Sequence, residues 1–97
     1  MNDDRAYYDK SWEHVLKNVE RAGFLSELQA HAEKTGVSLE LLLGRSRWSR
    51  VTQARREFYW ILRHRGCSLP EIGAMLDRDH TTILSGLNKL IGKGEKS

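Results

Sequence analysis

Cys67–Leu84, with the sequence CSLPEIGAMLDRDHTTIL, is the stretch that decides the fold. Ser68 and Glu71 have the spacing of a capping box, which predicts the start of a helix. Pro70 falls in the first turn of that helix, where its missing N–H costs nothing. The helix has about two turns. Its predicted buried residues are Ile72, Met75 and Leu76.

A tight turn and a second helix follow in the same stretch. Gly73-Ala74 is a small pair that permits close approach of a neighbouring element, Asp77-Arg78 forms the turn, and Asp79 is placed to cap the final helix. That helix is predicted to stop near Gly92. Its predicted core face contains Ile83, Leu84, Leu87, Leu90 and Ile91. Two short helices joined by a tight turn, the second beginning with exposed polar residues, are typical of a helix-turn-helix.

The segments upstream also have helical spacing. A basic connector, Arg45–Arg50, leads into a long helix predicted over residues 49–64 and ended by Gly66. Its predicted inward residues are Val51, Ala54, Phe58 and Ile61/Leu62. Arg55, Arg56 and Arg63 are expected on its other faces.

Three shorter helices are predicted before the connector. The first runs from about Asp9 to Ala22, with Trp12, Val15, Leu16 and Val19 at helical spacing. The second begins at a Ser26/Gln29 capping box, runs to about Lys34 and is ended by Gly36, with Leu25, Leu28 and Ala32 on one face. The third covers Leu39–Leu43, with Ser38 before it and Gly44 after it. No alternating β pattern occurs, so we predict an all-α bundle of about five to six helices.

Length and composition limit the possibilities. A chain of 97 residues has room for one core, and 30% charged with 39% hydrophobic residues fits a compact helical domain. We expect a tail and extra helix over 1–24, the helix-turn-helix domain over 25–92 and a basic tail over 93–97. Cys67 is a lone cysteine, and neither a signal peptide nor a membrane-length apolar run is present, which favours a cytoplasmic, nucleoid-associated protein.

Charge is distributed unevenly along the chain. Residues 1–44 carry five Lys/Arg against eight Asp/Glu, and residues 45–97 carry eleven against five. Seven arginines lie between Arg45 and Arg65, where the only acid is Glu57. This block favours a polyanion or an acidic protein as partner, although a solvated cationic face is the simpler alternative.

The first turn of the final helix contains the candidate binding residues. These are Asp79, His80, Thr81 and Thr82. A carboxylate accepts from base amino groups, an imidazole donates to purine acceptors, and a threonine offers a hydroxyl and a methyl group. The structural alternative is that Asp79 only caps the helix and the threonines are ordinary helix-start residues.

Two blocks in this stretch carry a resemblance to a known family. Ser68–Gly73 and Arg78–Leu84 closely resemble the signature of the C-terminal DNA-binding domain of the bacterial replication initiator DnaA. The resemblance extends weakly upstream to about Leu28. It implies a helix-turn-helix that binds double-stranded DNA at short A·T-rich boxes.

The resemblance also implies a role for individual residues. Asp79, His80 and Thr81 would contact base edges in the major groove, Thr82 would contact a base methyl group or a phosphate, and Arg47 would lie in the adjacent minor groove. The predicted phosphate contacts are Arg45, Arg50, Arg55, Arg56, Arg63, Leu69, Pro70, Arg78 and Lys89.

The chain departs from the family pattern in three places. Asp77 stands where the family usually has two glycines, so the turn is one residue shorter. Phe58, Tyr59 and Trp60 replace small apolar residues of the long helix. The ATPase phosphate-binding motif is absent, and residues 1–24 do not resemble the linker that precedes the domain in the family. We therefore expect a free-standing relative without the ATPase module.

Other partners and activities have less support. The DNA-targeting part of a larger transposase or initiator is one alternative, and a degenerate helical module that binds an acidic protein is another. Residues 9–22 are expected to pack on the core, with docking of a protein partner or self-association as the alternative. No catalytic, metal-ligating, nucleotide-binding or membrane-binding pattern occurs, so we expect no enzyme activity and no cofactor.

Overall fold

A computed structural model describes the backbone of residues 11–95 and the side chains of residues 12–90. This part of the chain forms six helices and no strand, which confirms the all-α prediction. The helices are α1 (Ser11–Ala22), α2 (Leu25–Thr35), α3 (Leu39–Leu43), α4 (Ser49–His64), α5 (Leu69–Leu76) and α6 (His80–Glu95).

Local hydrogen bonds explain where several helices begin. The Ser38 hydroxyl oxygen accepts a hydrogen bond from the Leu41 N–H at 3.2 Å, which caps α3. At α5 both bonds of the predicted capping box form: the Glu71 N–H donates to Ser68 Oγ at 3.2 Å, and the Ser68 N–H donates to Glu71 Oε1 at 2.7 Å. These starts were predictable because each depends on residues three positions apart.

Three predictions about the helices are wrong. No Ser26/Gln29 capping box forms, because α2 already begins at Leu25 and no side chain caps it. The final helix continues past Gly92 to Glu95. Leu84 is 42% exposed, because it lies on the outer side of α6. The predicted start near Asp9 and the side chain of Ile91 lie outside the described residues.

The long helix α4 is the centre of the bundle. It packs against α2, α3, α5 and α6, whereas α5 and α6 also pack on each other. Its inward residues Val51, Ala54, Phe58 and Leu62 are buried, as predicted, and Ile61 is partly buried. The largest fully buried side chains are Phe58, Leu28, Leu62, Ile72, Ile83, Val19 and Val51.

The N-terminal helix α1 is part of the same core. It packs across α2, α3 and α5, with Val15 and Val19 buried and Trp12 and Leu16 partly buried against the cluster. This confirms the prediction that the apolar face of α1 packs on the core. Among residues 11–95, no helix combines the length and apolarity needed to cross a bilayer.

Candidate nucleic-acid interface

The turn between α5 and α6 is closed by a backbone hydrogen bond. Asp77 adopts the left-handed conformation, with φ 57° and ψ 48°, which an aspartate tolerates better than most residues. The Arg78 N–H then donates to the Gly73 carbonyl oxygen at 2.8 Å. One left-handed aspartate is therefore sufficient to reverse the chain where the family usually has two glycines.

The Arg78 side chain ties this turn to the other half of the bundle. Its Nη2 donates to the Gly44 carbonyl oxygen, at the C-terminal end of α3, at 2.6 Å. Because the two residues are 34 positions apart, the bond fixes the start of α6 relative to α3. Arg78 was predicted only as a phosphate contact, and this anchoring role was not foreseen.

The first turn of α6 presents the four candidate base-contacting residues to solvent. Asp79, His80, Thr81 and Thr82 are all exposed. The Thr81 N–H donates to Asp79 Oδ1 at 3.2 Å, and this hydrogen bond lowers the pKa of the Asp79 carboxyl group. His80 Nδ1 lies 3.4 Å from the same oxygen. Asp79 therefore caps α6, as predicted, and orients its neighbours.

A cationic groove of about 400 Å³ lies between α4 and this end of α6. We call it the recognition groove. It is lined by Thr52, Arg55, Arg56, Tyr59, Arg78, Thr81, Thr82, Ser85, Gly86 and Lys89. The lining combines arginine and lysine side chains with four hydroxyl-bearing Ser/Thr residues and contains no carboxylate. Such a surface is suited to a phosphate group, which accepts hydrogen bonds from both kinds of donor.

A tyrosine and a glycine allow α4 and α6 to approach closely at this groove. A β-carbon added at Gly86 would lie 2.9 Å from Tyr59 Cε2 and 3.0 Å from Tyr59 Cδ2. The buried Tyr59 ring therefore occupies the space that a side chain at position 86 would need. Burial also raises the pKa of the Tyr59 phenol. Tyr59 of α4 thus packs directly against α6 at Gly86.

The groove contains residues that the sequence did not single out. Thr52, Tyr59 and Ser85 were not predicted as part of the site. Thr52, Arg56 and Tyr59 follow one stripe of α4 at i, i+4 and i+7, so the prediction for Arg56 could have included its neighbours. Gly86 lies in the interior of a predicted helix, and an isolated glycine there is a sequence signal for close packing against a neighbouring element.

The prediction that Arg55 lies on an outer face is wrong. Arg55 is only 7% exposed. Nε donates to the Leu42 carbonyl oxygen at 2.9 Å, Nη1 to that of Ser46 at 3.0 Å, and Nη2 to that of Leu41 at 2.8 Å. All three nitrogens of the guanidinium bind main-chain carbonyls, so Arg55 has a structural role, and its phosphate contact stays a prediction. Burial, followed by the nearby charge of Arg78, lowers the pKa of this guanidinium.

The basic connector lies beside the recognition groove. Arg45 and Arg47 are exposed, and Arg50 Nη2 donates to the Thr35 carbonyl oxygen at 3.4 Å. A second groove, of about 550 Å³, is lined by Arg47, Ser49, Arg50, Thr52, Gln53 and Arg56. We call it the connector groove. It shares Thr52 and Arg56 with the recognition groove, so the two cationic surfaces are continuous.

The remaining predicted phosphate contacts lie at three places. Lys89 is exposed and lines the recognition groove. Arg63 lies near the end of α4 and donates to the Cys67 carbonyl oxygen at 3.0 Å. Leu69 and Pro70 form the first turn of α5. The N–H groups of Ser68 and Glu71 donate within the capping box, whereas that of Leu69 takes no part in it.

The described side chains contain no group of three His, Cys, Asp or Glu residues able to hold a metal ion. Cys67 is buried, and burial followed by the nearby Glu71 raises the pKa of its thiol. His31 is also buried, and its Nε2 donates to the Ala54 carbonyl oxygen at 2.8 Å. Both residues therefore have a structural place in the core.

Comparisons with known proteins agree with this geometry. A family model described as "Bacterial dnaA protein helix-turn-helix" matches residues 28–90, which is more than half of the chain. The chromosomal replication initiator protein DnaA of Picosynechococcus sp. is 42% identical over 65 residues, which are 65% of this chain and 14% of that protein. The chain thus spans only a small part of that relative's length. No solved structure matched. The matched region contains α3, α4 and α5 with most of α2 and α6, and the chain belongs to the bacterial DnaA helix-turn-helix family of DNA-binding domains.

Proposed function

We propose that this chain binds duplex DNA sequence-specifically at a short A·T-rich box similar to those of the DnaA family. It acts there as a regulator, a competitor or an accessory factor of replication or transcription. The observation that carries the proposal is the exposed turn Asp79–Thr82, capped at its start and placed beside the recognition groove.

The proposed binding mode has α6 entering the major groove with its first turn. His80 and Thr81 point to base edges, and Asp79 keeps one carboxylate oxygen for a base amino group because the other accepts from Thr81. Thr82 contacts a thymine methyl group or a phosphate.

The recognition groove supplies the phosphate contacts in this mode. Arg56, Arg78 and Lys89 neutralise the charge of one strand, and the neighbouring hydroxyls fix the register of the protein on the duplex. The Leu69 N–H, next to Pro70 at the start of α5, donates to a further phosphate. Arg45, Arg47 and Arg50 extend the contact along the connector, with Arg47 in the minor groove, and Arg63 lies at the far end of α4.

The proposal is tested by fluorescence anisotropy of a labelled duplex that carries a DnaA-type box, against a scrambled duplex, at two salt concentrations. A preference of about a thousandfold or more supports a sequence-specific binder. Equal and salt-sensitive binding to both duplexes would retain the phosphate contacts and refute this target. Absence of binding to either duplex would refute the proposal and favour a module that binds an acidic protein.

Single variants then locate base recognition. His80→Ala and Thr81→Ala are each expected to cost about 1–3 kcal/mol on the specific duplex and little on the scrambled one. Ser26→Ala is the matched control, because it removes an exposed hydroxyl from a helix start where no capping bond forms. If both recognition variants discriminate as well as the parent, base readout lies elsewhere.

One other role is an outcome of the same measurements. A monomer with weak specificity at physiological salt would favour the DNA-targeting part of a transposase or initiator assembly. In that case the exposed side of α1, within residues 9–22, is the surface available for docking, since its apolar side is used in the core.

A further inference from the structure

Trp48 is the most exposed large hydrophobic side chain among the described residues. It is 71% exposed, compared with 43% for Trp60. Tryptophan is highly buried on average, and its large ring contributes strongly to affinity when a partner covers it. A tryptophan this exposed, with no role in the core, is available for contact with a partner.

The main chain at Trp48 is held in place although its ring is exposed. The Trp48 N–H donates to Ser46 Oγ at 3.3 Å, and its carbonyl oxygen accepts from the Thr52 N–H at 2.8 Å. The buried Arg55 donates to the Ser46 carbonyl oxygen. Trp48 is thus the N-cap residue of α4, in an extended conformation. The fold therefore fixes the main-chain position from which the indole projects.

The surroundings of Trp48 indicate the charge of its partner. Residues 45–50 are RSRWSR, so arginines lie on both sides of the tryptophan and no acid is present. Arg47 and Arg50 also line the connector groove, which is continuous with the recognition groove through Thr52 and Arg56. This complementarity favours a polyanion over an apolar or cationic protein surface.

We infer that the Trp48 indole contacts the walls of the DNA minor groove beside Arg47; this inference rests on the proposed function. If the phosphates of one strand lie in the recognition groove, α6 is on the major-groove side of that strand and the connector is on the other side. The neighbouring groove across a single strand of a duplex is the minor groove. Apolar side chains are placed there by many DNA-binding proteins, against sugars and base edges.

The contact has a signature that separates it from the arginine contacts. The indole carries no charge and releases no counterion, so its removal lowers affinity without changing the salt dependence. Removal of the Arg47 side chain lowers both the affinity and the salt dependence of binding. The indole contact also favours A·T pairs, because the guanine 2-amino group occupies the floor of the minor groove.

The experiment measures binding of the DnaA-type duplex by the parent, Trp48→Ala, Trp48→Phe and Arg47→Ala at several salt concentrations. Trp48→Ala is expected to weaken binding about tenfold with an unchanged salt slope. Trp48→Phe is expected to recover part of the loss, and Arg47→Ala to reduce the slope by about one. The matched control is Trp60→Ala, which removes the other exposed tryptophan, stacked on His64 near the opposite end of α4.

Acrylamide quenching of tryptophan fluorescence provides a direct readout. The fraction of fluorescence protected by the duplex is expected to be larger in the parent than in Trp48→Phe, because only the parent has the indole that DNA covers. Thermal unfolding of Trp48→Ala is expected to match the parent, since the side chain is exposed.

Each outcome decides between defined alternatives. If the parent binds with a strong salt dependence and Trp48→Ala binds equally well, the inference is wrong and the proposed function stands. If the parent does not bind duplex DNA, both are wrong. If Trp48→Ala binds DNA normally and dissociates a dimer seen by sedimentation, the indole belongs to an interface between two copies of the chain, which also overturns the inference.

Discussion

The backbone at Gly73 and the carbonyl group of Arg78 are in direct contact. A β-carbon built on Gly73 would lie 2.6 Å from the Arg78 carbonyl oxygen and 3.3 Å from the His80 nitrogen. The helix-turn-helix therefore depends on a glycine in α5, because the turn leading into α6 crosses it without room for a side chain.

Replacement of Gly73 by alanine is predicted to destabilise the domain. The added methyl group meets main-chain atoms that cannot rotate away, and overpacking of this kind costs about 1–3 kcal/mol even after the alanine gains helix propensity. Urea unfolding followed by circular dichroism measures the change. Ala74→Gly, at the neighbouring exposed position, is expected to lose roughly 1 kcal/mol through propensity alone. A Gly73→Ala protein as stable as the parent would show that the turn can shift.

Replacement of Arg55 by methionine is predicted to destabilise the fold by about 2–4 kcal/mol. Methionine fills a similar volume and leaves the carbonyl groups of Leu41, Leu42 and Ser46 without their donor. The exposed Arg45 offers the comparison, and Arg45→Met is expected to change stability by less than about 0.5 kcal/mol. Equal stability of the two variants in a denaturant titration would rule out a structural role for Arg55.

Substitutions at Tyr59 and Gly86 are predicted to have coupled effects on the free energy of unfolding. Gly86→Ala should cost about 1–3 kcal/mol, because its methyl group meets the tyrosine ring at 2.9 Å. In a Tyr59→Leu background the same substitution should cost clearly less, since the smaller side chain leaves room. A double-mutant cycle of unfolding free energies measures the difference. Additive effects would mean that α6 moves away from α4 as a whole.

The stability of the first turn of α6 is predicted to fall in acid. The hydrogen bond from the Thr81 N–H holds the folded-state pKa of Asp79 below its ordinary value, so the carboxylate form is favoured in the folded protein. Its contribution is complete above the unfolded-state pKa of about 4, and it is lost as the pH falls through the lower folded-state value.

An NMR titration of the Asp79 carboxyl group tests this expectation directly. The comparison protein is Asp79→Asn, which keeps a side-chain oxygen for the Thr81 N–H and has no charge to lose. Unfolding midpoints of the two proteins should keep a constant difference at neutral pH and change relative to each other only below about pH 4. An Asp79 pKa at or above its ordinary value would contradict the prediction.

The sequence by itself determined several features that depend on neighbours a few positions apart, although the Ser26/Gln29 capping box with the same spacing does not form. The caps at Ser38, Ser68 and Asp79 were predictable because a side chain meets a main-chain N–H two or three residues along the chain. The amphipathic spacing of α4 identified its buried residues Val51, Ala54, Phe58 and Leu62 for the same reason.

Only the tertiary structure decided which charged and apolar residues turn inward at positions where the pattern permits either. Arg55 is buried because three carbonyl groups at the end of α3 and in the connector come within reach of it. Leu84 is exposed because none of the helices within residues 11–95 covers that side of α6. The Arg78–Gly44 bond and the Tyr59–Gly86 contact join residues that are distant in sequence, and such pairs leave no periodic signal. Helical periodicity reports which residues share a face, whereas the neighbour that meets the face is determined only when the helices pack.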